Sequence, residues 1–253
     1  MERALIVPAG GLGSRLKADT PKLLVRVDGK MMIEHLLDLY GHSVQAVALV
    51  VHPAALHRTR EIARAASLPV DLFVQETPTG MLDAILLARP AIEHWRPRRV
   101  WITWCDQIAI HPQTVARLAD IGGGEDAPVL TLPTSRAEHP YIHLVRNERG
   151  DIVDVLHRRE GDAMPDVGEG DAGLFDLSLR AYLEWLPEYA ASPSIGARTG
   201  ERNFVPFVAA ARRHGPVRTF PCMDPMEAVG VNTPEDLARV EAHLRARSAA
   251  TRA

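Results

Sequence analysis

A chain of 253 residues with 46% apolar and 24% charged residues can bury a sizeable core and has the balance of a soluble globular protein. Its formal net charge of −3, with no basic run beyond short Arg pairs, argues against a polyanion, so no nucleic acid is expected as a partner. Two cysteines, Cys105 and Cys222, exclude a disulfide framework and fit a reducing, cytoplasmic setting. No apolar stretch reaches the ~18 residues of a membrane span, and no charged leader precedes the first apolar run, so no membrane partner is expected either.

In chain order, strands are expected at 3–8, 45–51, 70–74 and 99–104, all rich in Val, Ile and Leu. Helical patterns lie between them at 31–41, 54–67, 79–89 and 112–120. Such alternation predicts βαβ units: an α/β, Rossmann-like fold with a mostly parallel central sheet flanked by helices. The run Ala46-Val47-Ala48-Leu49-Val50-Val51 is apolar throughout, as a strand covered on both faces should be. Further on, strands near 127–132, 141–146 and 152–157 suggest a small antiparallel addition, with Asn147-Glu148-Arg149-Gly150 as a hairpin turn. The polar segment 160–171, with two Gly-Asp pairs and a Pro, reads as a mobile loop, and 191–203 as another. A helix over 204–213, a strand near 217–221 and a terminal helix after Thr233-Pro234-Glu235 follow, with Thr233 as N-cap and a tail frayed from Arg247. With no repeat or low-complexity linker, a single domain over 1–253 is expected. Its nucleotide-binding part would be 1–110, its acceptor-binding part 127–220, and a metal-ligand loop and last helix would span 228–246.

The stretch from Val7 to Lys22 carries most of the functional information: Val-Pro-Ala-Gly-Gly-Leu-Gly-Ser-Arg-Leu-Lys-Ala-Asp-Thr-Pro-Lys. A glycine-rich turn after a buried strand lets backbone N–H groups approach a phosphate closely, and Arg15 and Lys22 add fixed positive charge. The segment lacks the Gly-Lys-Ser/Thr ending of a P-loop and the second spacing of the dinucleotide fingerprint. Trp104-Cys105-Asp106-Gln107 follows the strand at 99–104, so Asp106 sits where open α/β sheets bind ligands. Mg2+ favours one or two carboxylates plus substrate phosphate oxygens, which suits Asp106, although the same residue could simply cap the loop. In Gln75-Glu76-Thr77-Pro78-Thr79-Gly80-Met81, Gln75 offers the donor and acceptor that a pyrimidine edge requires, and Gly80 would let a base lie against the backbone. The 11 histidines form no metal-ligand array, though His139, His143 and His157 fall in the antiparallel part. No nucleophile–base pair has a supporting motif, and Cys105 has no identifiable general base.

Ala9-Gly10-Gly11-Leu12-Gly13-Ser14-Arg15, five residues, then Pro21-Lys22, resembles the signature of the sugar-phosphate nucleotidylyltransferases. Gln75 to Met81 resembles the base-recognition segment of their hexose-1-phosphate members. Ala228-Val229-Gly230-Val231-Asn232 resembles the late segment of N-acetylglucosamine-1-phosphate uridylyltransferases. The resemblance covers about residues 3–241. It implies that an NTP (UTP, dTTP or CTP) and a phosphorylated small-molecule acceptor give an NDP-linked product and pyrophosphate, with Mg2+. It implies catalytic roles for Arg15 and Lys22 and nucleotide contacts from Ala9, Gly10, Gly11, Gly13, Ser14, Gln75, Thr79 and Gly80. It further implies metal ligation by Asp106 and Asn232, Asn232 otherwise being a helix-entry residue. Acceptor contacts are implied for Tyr141, Arg158, Arg159, Asp171, Gly173 and Glu201.

On the acceptor side the match departs from the family pattern: Ile142 replaces a Gly, His157 a Glu, Asp171 an Asn, and Val205-Pro206 a Thr-Asp. Arg158 and Arg159 suit an acceptor phosphate or a solvated hairpin end equally. A cytidylyltransferase or molybdenum-cofactor-type nucleotidyltransferase acting on a non-sugar phosphate stays open, as does a silent nucleotide-binding regulator. Members of the uridylyltransferase family often carry a C-terminal β-helix, so the transferase half alone is expected here. A homo-oligomer is compatible with all of these readings.

Overall fold

In this computed structural model the chain is described over residues 1–252 apart from Leu12, Lys17, Asp19, Pro193 and Ser194, and without the side chains of Ser14, Thr251 and Arg252. The first half runs β1 (Arg3–Ala9), two 3-10 turns at Ser14–Leu16 and Lys22–Leu24, and a ribbon of β2 (Arg26–Val27) and β3 (Lys30–Met31). It continues with α1 (Met32–Tyr40), β4 (Ala46–Val51), α2 (Leu56–Ala65), β5 (Val70–Val74), α3 (Met81–Leu87), α4 (Arg89–Trp95), β6 (Arg99–Thr103) and α5 (Pro112–Gly123). The second half holds β7 (Leu130–Glu138), β8 (Ile142–Arg146), β9 (Ile152–His157), β10 (Val167–Asp171) and β11 (Leu174–Ser178). A π turn at Ala181–Trp185, α6 (Leu186–Ala191), α7 (Phe207–Ala211), β12 (Val217–Pro221) and α8 (Pro234–Arg252) complete the chain.

Alternation along β1 explains its unbroken apolar run. Leu5 and Val7 face one core with α1, α2, α5 and α8, while Ala4 and Ile6 face a second core with α3, α4, α6 and α7. The main sheet has eight strands in the order β10-β7-β11-β6-β1-β4-β5, with β12 on β7. β1 pairs in parallel with β4 and β6, β4 with β5, and β7 with β12. β11 runs antiparallel to β6 and β7, and β10 antiparallel to β7.

The crossover from β1 to β4 lies on one face, and the one from β5 to β6 on the other. The chain therefore reverses its direction of winding between β1 and β6. Ligands bind open α/β sheets at such a switch point, beyond the carboxyl ends of the strands. The β6 pairing ends at Ile6↔Ile102, before Pro8, which has no N–H to donate, so the two strand ends part there.

Several expectations change. The segment 160–171 is not a loop throughout: its last five residues form β10, paired with β7 from Val167↔Glu138 to Asp171↔Thr134. Their Gly-Asp content conceals a strand whose glycines fit close neighbours, Gly170 lying against the Ile142 carbonyl. β11 and the helical segment 181–191 carry no clear signal, and the expected strand at 127–132 is the start of the longer β7. In the second half, β7, β10 and β11 join the main sheet, while β8 and β9 pair with each other, turning at Asn147–Gly150 as expected. α8 does not fray at Arg247, whose guanidinium donates to the carbonyls of Ala109 and Ile110 at 3.0 and 3.1 Å. Its N-terminus is capped as expected: Asp236 N donates to Thr233 Oγ1 at 3.2 Å, and Thr233 N to Asp236 Oδ2 at 3.1 Å. Among the described residues no helix is long and apolar enough to cross a membrane.

Candidate active site

β1 ends at Ala9 and the chain turns through Gly10 and Gly11. A Cβ on Gly10 would lie 2.0 Å from Gln75 Oε1, so the backbone of the glycine-rich turn touches the Gln75–Met81 segment there. Gly11 is exposed, and a Cβ on it would meet nothing within 4 Å among the described residues, which leaves its face open to a ligand. Gly13 needs its glycine, with φ +67° and the Lys22 side chain 2.7 Å from where a Cβ would stand. The side chain of Ser14 lies outside the described residues.

That close approach delivers Lys22 to the crevice. Its ammonium pairs with Asp106 Oδ2 and donates to Asn232 Oδ1 at 2.9 Å, while Arg15 Nη2 donates to the same Asn232 oxygen at 3.0 Å. Four residues expected to act together, from three distant parts of the chain, thus share one hydrogen-bonded group. The Lys22 and Asp106 side chains are only 13% and 12% exposed, so water screens their charges weakly. Gly230 lets the loop before Asn232 close onto this group, since a Cβ there would stand 2.9 Å from Asp106 Oδ2 and 3.0 Å from Asn232 Nδ2. Val231 N donates to the Asp106 carbonyl at 3.2 Å, fixing the loop to the strand end. Burial, with Asp106 alongside, pushes the Cys105 thiol up to about 12, so it is no nucleophile.

Gln75 is 6% exposed, and its Nε2 donates to the Gly80 carbonyl at 3.2 Å. Its amide therefore spans from Gly10 to Gly80, and Thr79 beside it is exposed. Gly80 differs from expectation. Its Cβ direction is filled by the backbone of Arg202, whose N and O would lie 2.4 and 2.5 Å away, and its φ is +127°. Arg202 N donates to the Thr79 carbonyl at 2.9 Å and Leu82 N to the Arg202 carbonyl at 3.0 Å, so this glycine serves a backbone crossing.

The acceptor-side residues fall into two groups. Asp171 and Gly173 lie beside the end of β6: Gly173 N donates to Asp171 Oδ1 at 2.8 Å, and Trp104 N to the Gly173 carbonyl at 3.0 Å. Burial pushes the Asp171 carboxyl up to about 6, against the pull of hydrogen bonds from the Gly173 and Asp171 N–H groups and the Trp104 side chain. Tyr141, Arg158, Arg159 and Glu201 gather instead around the β8–β9 hairpin. Arg159 grips Glu201 through two bonds of 3.1 and 2.8 Å, Arg158 Nε donates to the Pro140 carbonyl at 3.0 Å, and the Tyr141 ring meets His157 edge-on. Burial lowers the pKa of His157, aided by Arg159 and opposed by Glu160.

Sequence reasoning missed two anchors. Glu160 accepts from Thr199 Oγ1 at 2.6 Å, Asn203 Nδ2 at 2.9 Å, Arg198 N at 3.0 Å and Thr199 N at 3.2 Å. Burial alone would raise its pKa, but these bonds outweigh it and bring the carboxyl down to about 2. Its partners lie about 40 residues away, and no local pattern marks them. Glu227, fully buried, accepts from Met223 N at 2.7 Å, Asp224 N at 2.9 Å and His111 N at 3.0 Å. It thereby joins the loop after Asp106 to the loop before Asn232. Its signal was present, because Asp224-Pro225-Met226-Glu227 has capping-box spacing.

With this geometry in place the comparisons decide the family. The profile of the MobA-like NTP transferase domain matches residues 5–171. The chain belongs to the MobA-like NTP transferase family. It is a nucleotidyltransferase of the NTP transferase type. The bifunctional protein GlmU of Pseudomonas putida (strain GB-1) is 26% identical over 255 residues, covering 98% of this chain and 52% of the relative. GlmU of Acidovorax sp. (strain JS42) is 30% identical over 257 residues, covering 97% and 52%. This nucleotidyltransferase therefore spans about half the length of the curated relatives it matches. The structure of the inositol-1-phosphate CTP transferase from T. maritima shares its fold, with a TM-score of 0.70 at 17% identity over 97% of this chain and 95% of that one.

Nucleotidyltransferases generally use a divalent metal, and the residues present fit one. Asp106 and Asn232 offer hard oxygen donors that already converge on one cation, the Lys22 ammonium. Among the described residues no cluster of three His, Cys, Asp or Glu is placed to hold a metal ion. Two protein oxygens leave the remaining positions to phosphate and water, which is the usual arrangement for Mg2+.

Proposed function

We propose that this nucleotidyltransferase joins a pyrimidine NTP (UTP, dTTP or CTP) to a phosphorylated small-molecule acceptor of the sugar 1-phosphate type, releasing pyrophosphate. The observation that carries this reading is the convergence of Arg15, Lys22, Asp106 and Asn232 beside the open face of Gly11. An acceptor phosphate oxygen attacks the α-phosphorus in line. The new bond joins that oxygen to the α-phosphorus, the bond to the β-phosphate bridging oxygen breaks, and its electron pair leaves on pyrophosphate. No covalent enzyme intermediate is needed, so this chain contributes positioning and charge neutralisation. Ala9, Gly10, Gly11, Gly13 and Ser14 line the triphosphate. Arg15 and Lys22 offset its charge, and Gln75 and Thr79 face the base. Asp106 and Asn232 would hold Mg2+, which supplies charge neutralisation at the phosphate oxygens when bound. Asp171 and Gly173, beside the end of β6, face the acceptor, with Tyr141, Arg158, Arg159 and Glu201 bounding its far side.

An inositol phosphate with CTP is the second reading, favoured by the shared fold with the T. maritima enzyme and by the changed acceptor positions Ile142 and His157. Two free cysteines support a reducing, cytoplasmic setting. The test is pyrophosphate release with each NTP, Mg2+ and a panel of sugar 1-phosphates and inositol 1-phosphate. Turnover with one pair names the substrates. Tight NTP binding without turnover on any acceptor would sink the proposal and leave a silent nucleotide binder.

A further inference from the structure

Lys22 and the two candidate metal ligands compete for the same space. The ammonium lies within hydrogen-bond reach of both Asp106 Oδ2 and Asn232 Oδ1, and the Arg15 guanidinium also takes the Asn232 oxygen. A divalent ion binds such oxygens at about 2.0–2.1 Å. It cannot take both while an ammonium stays bonded to each, because like charges would sit in contact where the Lys22 and Asp106 side chains are only 13% and 12% exposed. We infer that Lys22 is a built-in counter-cation of the metal site, holding Asp106 and Asn232 in the substrate-free protein and releasing them only when a triphosphate offers it an anionic partner. The inference rests on the reading of Asp106 and Asn232 as metal ligands.

The architecture supports the exchange. Lys22 sits directly against Gly13 of the phosphate loop, so its flexible stem can carry the ammonium toward that loop without backbone movement. Arg15, in the turn that follows the loop, can make the same transfer. Metal ion and nucleotide then bind with positive linkage, each tightening the other by the same factor. The protein alone holds a divalent ion weakly, because occupying the ligands means displacing the lysine from both of its oxygen partners.

The probe is Mn2+, measured by electron paramagnetic resonance on nucleotide-free protein and again with CTP, UTP or dTTP present. Lys22→Met should bind Mn2+ more tightly than wild type without nucleotide, by about tenfold, within the roughly 5–150-fold range of typical couplings. Nucleotide should tighten Mn2+ binding less in this variant than in wild type. Lys22→Arg keeps the cation and should stay near wild type in the nucleotide-free measurement. Equal or weaker Mn2+ binding by a Lys22→Met protein with unchanged circular dichroism overturns the inference, and wild-type turnover would still stand. Adding Asp106→Asn to Lys22→Met should remove the gained affinity. If it does not, Mn2+ binds elsewhere, and the metal-ligand reading falls with the inference.

Discussion

Gly11 and Gly80 should respond to the same substitution in opposite ways. Gly80→Ala places a side chain at φ +127° and ψ 171°, a region essentially reserved for glycine, at a strain of about 1–3 kcal/mol. The new Cβ would stand 2.4 Å from Arg202 N and 2.5 Å from its O, and backbone atoms cannot swing aside as a flexible side chain can. The crossing must open, which puts at risk the bonds from Arg202 N to Thr79 O and from Leu82 N to Arg202 O, each worth about 0.5–1.5 kcal/mol net. The sum is about 2–6 kcal/mol, or roughly 4–24 °C in Tm for a chain of this length. Gly11→Ala meets no atom of the described residues within 4 Å, so stability should stay within about 0.5 kcal/mol. Its methyl group stands on the open face of the phosphate loop and should weaken NTP binding about 10–100-fold, the loss of one charge-assisted contact. Urea unfolding and nucleotide titration on both variants read the two effects. A Gly80→Ala protein as stable as wild type, or a Gly11→Ala protein that binds NTP normally, would refute the assignment of these glycines.

Three further outcomes follow from the same geometry. Asp106→Asn should lower kcat by at least about 100-fold with circular dichroism unchanged, and retained turnover would mean the metal lies elsewhere. Asp171, raised to about 6, adds stability that is complete below the ordinary carboxyl value near 3.8 and lost as pH rises through about 6. Glu160, lowered to about 2, adds stability that is complete above its ordinary 4.5 and lost as pH falls toward 2. Chemical unfolding across pH 3–7 should therefore show Asp171→Asn flattening the slope between about 4 and 6, and Glu160→Gln reducing acid sensitivity below about 4.5, and unchanged profiles would contradict the burial of Asp171 and the hydrogen bonding of Glu160. Arg99→Met should cost about 3–5 kcal/mol by leaving the fully buried Asp176 without its 2.8 Å partner, with much of the loss recovered in Arg99→Met/Asp176→Leu; a small single-variant effect in a thermal melt would refute this.

Short-range features were legible because they are written in adjacent residues. The apolar runs of β1, β4 and β6, the Gly13-x-Arg15 and Pro21-Lys22 spacing and the Thr233-Pro234 cap each follow from local periodicity or local stereochemistry. β10 escaped because its polar, glycine-bearing residues mimic a loop until β7 pairs with them. Glu160 escaped for the same reason, since its hydrogen-bond donors are 38 to 43 residues away in sequence.

By itself, then, the amino-acid order determined the fold class, the glycine-rich turn after β1 and which polar residues merit suspicion. Periodicity and turn chemistry act over a few residues and need no partner. The tertiary structure alone decided that Lys22 sits on Asp106 and Asn232, that Gly80 yields to Arg202 rather than to open space, and that Arg159 is gripped by Glu201. Each of these is a contact between segments distant in sequence, which no local pattern can specify.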